Sequence, residues 1–189
     1  MTARSRKSVS GKQVTVMNAA QLKRALIRMA HEIIEDTDGA KDLAIIGMQT
    51  RGVHLAGRLA VFISESTGSE VPVGVLDVTL YRDDFRRRDK SPIVKPSDIP
   101  FDVDGRTIIL VDDVLYTGRT VRAALDSLMD YGRPDVIRLA VLVDRGHRQL
   151  PISADYTGQE IRTLEGQEIM VHMKKEDGED AVYLVEAPE

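Results

Sequence analysis

The sequence predicts an α/β fold, a doubly wound and mostly parallel sheet with a small hood built from the C-terminal part of the chain. Two observations carry that reading. Strand-like and helix-like segments alternate from residue 16 to residue 144. The strand-like runs, such as Leu43 to Met48 and Thr107 to Val111, are apolar throughout instead of alternating, as strands covered by helices on both faces are. In such sheets the loops at the carboxyl ends of the strands build the site.

Residues 1 to 15 read as a flexible tail, and residues 16 to 189 as one domain whose hood begins near residue 144. Asn18 can cap a helix in which Leu22, Leu26, Met29, Ala30 and Ile33 recur at helical spacing. At 100° per residue, Arg24, Arg28, His31 and Glu35 share the opposite face. After Asp38-Gly39 comes the strand Leu43 to Met48, then a helix with Val53, Leu55, Ala56, Leu59, Ala60 and Ile63 on its apolar side, ending near Thr67-Gly68. Val71 to Leu80 is β-branched and strand-like and runs into the polar stretch Tyr81 to Lys90; Pro92, Pro96 and Pro100 then punctuate a connection with no helical period. Thr107 to Val111 is a third strand. A loop over Asp112 to Thr117 leads to a helix from Gly118 to about Tyr131, closed by Gly132. Val136 to Val143 is a fourth strand. Beyond Asp144 the chain reads as polar loops and then two short strands, Glu168 to Met173 and Ala181 to Val185, paired as a hairpin across Glu176-Asp177-Gly178.

Composition excludes several classes of protein. At 189 residues and 42% hydrophobic, the chain can bury a core without disulfides or a structural metal. With no cysteine it has no thiolate zinc site, iron–sulfur cluster or cysteine nucleophile, and it fits a reducing, cytoplasmic setting. The longest apolar runs, such as Leu139 to Val143, fall far short of the roughly 20 residues that cross a bilayer, so no membrane is expected. A net charge of −4, no tryptophan and 4% aromatic residues argue against a general nucleic-acid coat or a stacking platform, while leaving room for local basic clusters.

The most informative stretch is Ile108-Ile-Leu-Val-Asp112-Asp113-Val-Leu-Tyr116-Thr117-Gly118-Arg119-Thr120. A buried strand delivers two carboxylates, and a hydroxyl-rich helix start comes after them. Free N–H groups and the helix dipole make Thr117 to Thr120 an anion site, and Gly118 permits close backbone approach. Two acids beside a phosphate cradle would repel the phosphate unless a sugar lies between. Its hydroxyls can donate to Asp112 and Asp113, which can also attract Mg²⁺ or its bound water. No Gly-x-x-x-x-Gly-Lys loop is present. Gln49-Thr50-Arg51-Gly52 comes after a strand and opens a helix in the same way, giving a second anion loop.

The segment resembles the phosphoribosyl pyrophosphate signature of the type I phosphoribosyltransferases. More narrowly, the chain is similar to the family of bifunctional pyrimidine operon attenuators and uracil phosphoribosyltransferases. The narrower likeness rests on Arg28-Met-Ala-His31-Glu32, Thr50-Arg51-Gly52, Thr79-Leu-Tyr-Arg82-Asp83-Asp84, Asp113 through Arg122, Gly132-Arg-Pro134 and Leu139 through Arg148, in order and with little sign of insertion.

The resemblance implies a reaction of uracil with phosphoribosyl pyrophosphate and Mg²⁺ to give UMP and pyrophosphate. Asp112, Asp113 and Arg51 are the expected catalytic residues, with the two acids toward the metal. Thr50, Arg51, Gly52 and Arg82 are expected on the pyrophosphate, with residues 81 to 90 as a closing flap. Tyr116, Thr117, Gly118, Arg119 and Thr120 are expected on the ribose phosphate, and Asp144 and Arg145, with His147 as a further candidate, near the base. It also implies an RNA-binding role in which UMP or UTP strengthens attachment to a hairpin in pyrimidine leader mRNA, with Arg24, Arg28, His31 and Arg148 as candidate contacts. A homodimer or homotetramer is expected. The chain departs from its relatives at Ile27, where they have a polar residue, and at Ser153 and Gln159, where basic side chains are common in the family. The alternatives are an enzyme that has lost RNA binding, a regulator with weak activity, or a phosphoribosyltransferase for another base.

Overall fold

The structure is a computed structural model that describes residues 13–78 and 96–186. Helix α1 (Ala19–Asp36) begins where Asn18 and Gln21 cap one another. Asn18 Oδ1 accepts the Gln21 N–H at 3.0 Å and Gln21 Oε1 accepts the Asn18 N–H at 2.9 Å, so two helix-end donors are satisfied. Its buried residues are Leu22, Ala25, Leu26, Met29, Ala30 and Ile33, the apolar stripe that the spacing predicts.

Strand β2 (Leu43–Met48) is buried at every position. Helix α2 (Arg51–Thr67) comes next and ends at Gly68, which takes the left-handed conformation. The later elements of the main layer are β3 (Val73–Leu76), β4 (Thr107–Leu115), α3 (Arg119–Leu128), β5 (Val136–Asp144) and β6 (Tyr156–Glu160). The five strands form one parallel sheet in the order β3-β2-β4-β5-β6. Ile45 and Ile109 face α1 and α2 on one side, while Ile46, Ile108 and Leu110 face α3 on the other. Unbroken apolar runs are what such a doubly covered sheet demands.

A second, antiparallel sheet has the order β1-β8-β7, from β1 (Gln13–Met17), β7 (Gln167–His172) and β8 (Ala181–Glu186). Met17, Val171, Met173 and Val182 are buried with the residues of α1 and α2, so this hood shares a core with the main layer.

The structure corrects the sequence reading at several points. Gln13–Met17, partly assigned to the tail, forms β1 because β8 offers it a free edge. The hood thus draws on both ends of the chain. Strand β6 replaces what reads as polar loop; only Tyr156 in it is buried, so the sequence shows no apolar alternation. Gly158 is needed there, since a Cβ would stand 2.5 Å from the Leu142 carbonyl oxygen. Asp112 and Asp113 lie within β4, whose pairing with β5 continues to Leu115 opposite Asp144. Helix α3 ends at Leu128, before Tyr131. The β7–β8 connection contains a short helix, α4 (Lys174–Asp177), closed by Gly178. Residues 79 and 80 of the second predicted strand, and the flap with Arg82, lie outside the described residues.

Candidate functional site

The chain runs outward from β2 to β3 and then returns to β4 on the other side of β2, so the strand order reverses between β2 and β4. Loops after neighbouring strands diverge at such a point and leave a crevice. The β2–α2 junction carries Thr50, Arg51 and Gly52; β4, the turn after it and the start of α3 carry Asp112, Asp113 and Tyr116 to Thr120; Asp144 ends β5 and Arg145 comes directly after it. One sheet edge therefore gathers residues from three separate parts of the chain.

Two glycines bring the first loop against β4. A Cβ on Gly47 would stand 2.5 Å from Val53 Cα, and one on Gly52 would stand 2.5 Å from the Val111 carbonyl oxygen. The start of α2 consequently lies directly on the main chain that leads to Asp112. The Gln49 N–H donates to the Leu76 carbonyl at 3.0 Å and ties the loop to β3.

Asp112 is buried, and its Oδ1 accepts the Asp113 N–H at 2.9 Å. Asp113 Oδ1 accepts the Val114 N–H at 2.9 Å. Asp113 keeps some surface, but its carboxyl is enclosed by protein. That burial raises its pKa above the ordinary value, with the positive charge of Arg51 only partly opposing. Among the described residues no three His, Cys, Asp or Glu side chains gather to hold a metal. Two adjacent carboxylates instead suit Mg²⁺ held through water and substrate oxygens.

Gly118 opens α3 at φ 88°, a left-handed value that favours glycine. The Thr117 hydroxyl accepts the Arg119 N–H at 3.3 Å, and its carbonyl accepts the N–H groups of Gln149 and Leu150 at 3.0 and 3.2 Å. Arg119 donates from Nε to Gln149 Oε1 at 2.9 Å, while Thr120 is half-buried in the first turn.

Tyr116 is exposed and lies under the Arg145 guanidinium, 4.0 Å from its ring centre. Arg145 also donates to the Gln167 carbonyl at 2.7 Å and to the Thr163 hydroxyl at 3.3 Å. His147 Nε2 lies 2.7 Å from the Thr163 carbonyl, which can only accept, so Nε2 carries the proton. Thr163 is buried and is absent from the sequence-based expectations. Only its carbonyl and hydroxyl mark it, and neither leaves a local sequence signal.

Asp144 accepts the Gly146 N–H at 2.9 Å and pairs with Arg148. Arg148 further donates to the carbonyls of Ile152 and Tyr116 at 2.9 Å and of Gly146 at 3.1 Å. Its guanidinium thus ties the loop after β5 to the loop after β4. Of the other cations considered for RNA, Arg24 and His31 are exposed on α1. Arg28 bonds Glu32 at 2.6 Å and the carbonyls of Thr157 and Gly158 at 2.9 and 2.7 Å. Arg24, Arg28 and Gln159 line one shallow cavity of about 320 Å³ between α1 and β6. The departure at Gln159 therefore falls beside the basic stripe.

Arg51 is not free in this crevice. It donates to both carboxylate oxygens of Asp177, from Nη2 at 2.9 Å and from Nε at 3.2 Å. Asp177 lies 126 positions away, and the sequence marks it only as part of a turn.

Paired acids between two helix-opening loops, at the reversal point of a parallel sheet, belong to a recognisable class. The family model described as phosphoribosyl transferase domain matches residues 13–176. The hypoxanthine phosphoribosyltransferase of Trypanosoma cruzi shares the fold, with a TM-score of 0.69 at 16% identity, over 93% of this chain and 97% of that one. The bifunctional protein PyrR of Deinococcus radiodurans is 55% identical over 172 residues, covering 91% of this chain and 94% of its own. That of Thermus aquaticus is 56% identical over 171 residues, covering 90% and 94%. The chain belongs to the PyrR family of phosphoribosyltransferases.

Proposed function

We propose that the protein transfers the phosphoribosyl group of phosphoribosyl pyrophosphate to uracil, releasing pyrophosphate and UMP. The observation that carries this reading is the pair Asp112-Asp113, delivered by β4 to the crevice where two helix-opening anion loops meet. Tyr116 to Thr120 take the 5-phosphate on backbone N–H groups at the start of α3, and Gly118 lets the phosphate approach. Thr50, Arg51 and Gly52 take the pyrophosphate, with Arg82 joining from the segment after β3.

The sugar gains positive character as the bond from C1 to pyrophosphate loosens, and the leaving group gains negative charge. Fixed charges on each side stabilise that separation more than they stabilise the ground state. Asp112 and Asp113 supply negative charge on the ribose side, and Arg51 supplies positive charge on the leaving-group side. Asp112 and Asp113 are the side chains that would hold a Mg²⁺ brought with the substrate, and the ion would supply positive charge against the departing pyrophosphate. Asp144, Arg145 and the 163–167 segment border the place for the base. Purified protein with uracil, phosphoribosyl pyrophosphate and Mg²⁺ should yield UMP. Turnover of orotate or a purine in place of uracil overturns the base assignment.

The same pocket, occupied by UMP or UTP, governs attachment to a hairpin of pyrimidine leader mRNA through linkage between the two sites. Support comes from the word bifunctional in the relatives' name and from exposed Arg24 and His31 on one face of α1. A homodimer or homotetramer would bring two such faces together, in a cytoplasmic setting. Among the described residues no helix is long and apolar enough to cross a membrane. One observation favours a second reading, an enzyme that has lost RNA binding: Arg28 and Arg148 are already engaged by internal acceptors. Filter binding of leader RNA at low salt, with and without UMP, decides between them, and an absence of binding leaves the enzyme alone.

A further inference from the structure

Three side-chain contacts, two of them ion pairs of arginine with aspartate, join α2 to the β7–β8 connection of the hood. Arg51, His54 and Arg58 lie on one face of α2, at helical spacing. They meet Asp177 at 2.9 Å, Glu176 at 3.0 Å and Asp180 at 2.8 Å. His54 and Arg58 point from the body of the helix. Arg51 alone opens it, at the loop that faces Asp112 and Asp113.

The contact of Arg51 is also the most constrained of the three. Two nitrogens meet two oxygens, and Asp177 Oδ2 accepts the Met173 N–H at 2.9 Å as well. The carboxylate is therefore fixed to the main chain before it grips the guanidinium. Burial of Asp177 would raise its pKa. The bonds from Arg51 and from the Met173 amide, with the charges of Arg51 and His172, outweigh that and hold the pKa below its ordinary value. Asp177 is thus ionised at neutral pH. Because the fork uses Nε and Nη2, Nη1 is left without a partner among the described residues.

An arginine on a flexible stem loses rotamer freedom when it binds an anion, and one already held loses less. We propose that Asp177 is a positioning residue for phosphoribosyl transfer, holding Arg51 in the orientation from which it receives pyrophosphate. This rests on the function proposed above. Asp177 touches no substrate and acts through Arg51. The hood thereby contributes to the leaving-group side of the site, across from the base that it borders.

The experiment compares Asp177→Ala, Asp177→Asn and Asp180→Ala with the wild type in the full chain. Pyrophosphate affinity with Mg²⁺ is measured by calorimetry, and KM for phosphoribosyl pyrophosphate and for uracil by steady-state kinetics. Asp180→Ala removes the Arg58 pair between the same two elements and a contact with the Lys174 N–H, so it reports the cost of loosening the hood. We expect Asp177→Ala to weaken pyrophosphate binding and raise KM for phosphoribosyl pyrophosphate by about tenfold, with KM for uracil within about twofold of wild type. Asp177→Asn, which keeps an acceptor for the Met173 amide, should fall between. Asp180→Ala should lower the melting temperature but bind pyrophosphate as the wild type does. Wild-type or tighter pyrophosphate binding by Asp177→Ala overturns the inference, as does an equal loss in Asp180→Ala. With wild-type UMP formation intact, either result leaves the functional reading standing. A wild-type protein that neither binds pyrophosphate nor forms UMP overturns both.

Discussion

Replacing Gly52 by alanine tests whether the anion loop works because it rests on β4. The added Cβ would stand 2.5 Å from the Val111 carbonyl oxygen and 3.3 Å from Asp112 Cα. Both neighbours are main chain in a central strand, so neither can turn aside as a side chain would. Restoring ordinary contact, near 3.5 Å, requires the start of α2 and the end of β4 to part by about 1 Å. That movement separates Arg51 from Asp112 and Asp113. A misplacement of about 1 Å costs roughly 100-fold in rate, or about 2.7 kcal/mol of transition-state stabilisation. Overpacking should also remove about 1–3 kcal/mol of stability, at about 2–4 °C of melting temperature per kcal/mol for a chain of this size. The assay is UMP formation from uracil and phosphoribosyl pyrophosphate, with thermal melting by circular dichroism. Gly57→Ala is the matched control on the same helix, since a Cβ there meets nothing within 4 Å. It should leave activity unchanged and add up to about 1 kcal/mol through helix propensity. Wild-type kcat/KM in Gly52→Ala would refute the reasoning, because the loop would then tolerate displacement from β4.

Asp113→Asn should abolish most activity yet raise the melting temperature at neutral pH. Burial lifts the folded-state pKa of Asp113 above its ordinary value of 3.8, so the proton's stabilising contribution is present below 3.8 and is lost as pH rises through the folded value. The ionised group is therefore a cost at neutral pH, and the variant's advantage in scanning calorimetry should narrow as pH falls toward 4. Unchanged melting at pH 7 contradicts this. Arg24→Ala should weaken leader-RNA binding without altering stability and reduce the salt slope by about 0.9, the value for one lost phosphate contact. Arg28→Ala should in addition lower the melting temperature, since Arg28 joins α1 to the carbonyls of Thr157 and Gly158. Equal melting of the two variants counts against that role. Arg148→Ala should destabilise by about 1–3 kcal/mol, because four acceptors lose a charged donor, and denaturant unfolding measures it.

Much of the architecture is legible because it is written in local chemistry. The all-apolar run Leu43 to Met48 reads as a strand covered on both faces, and the Asn18 cap with its apolar stripe reads as the opening of an amphipathic helix, and both form as read. The carboxylates of β4 and the Thr117 to Thr120 helix start lie within one stretch of chain, so their proximity needs no tertiary knowledge. β1 and β6 are not legible. Each is short, edge-placed and mostly unburied, and exists because a neighbour distant in sequence offers hydrogen bonds. The reach of β4 past Asp113 is of the same kind, since pairing with β5 draws two acids into a strand that their own propensity opposes.

Residues a few positions apart are enough to set the alternation of elements, the two helix-opening turns and the paired acids, so the sequence carries all three. What those side chains meet is settled in three dimensions. The strand order sets Arg51 and Asp113 on either side of one crevice and encloses the Asp113 carboxyl in protein. The hood, closed by a strand from each end of the chain, sets Asp177 against Arg51 and Thr163 against Arg145 and His147. Ion pairing and desolvation act through distance in space. Residues 126 positions apart carry no trace of that distance until the sheet and its hood have formed.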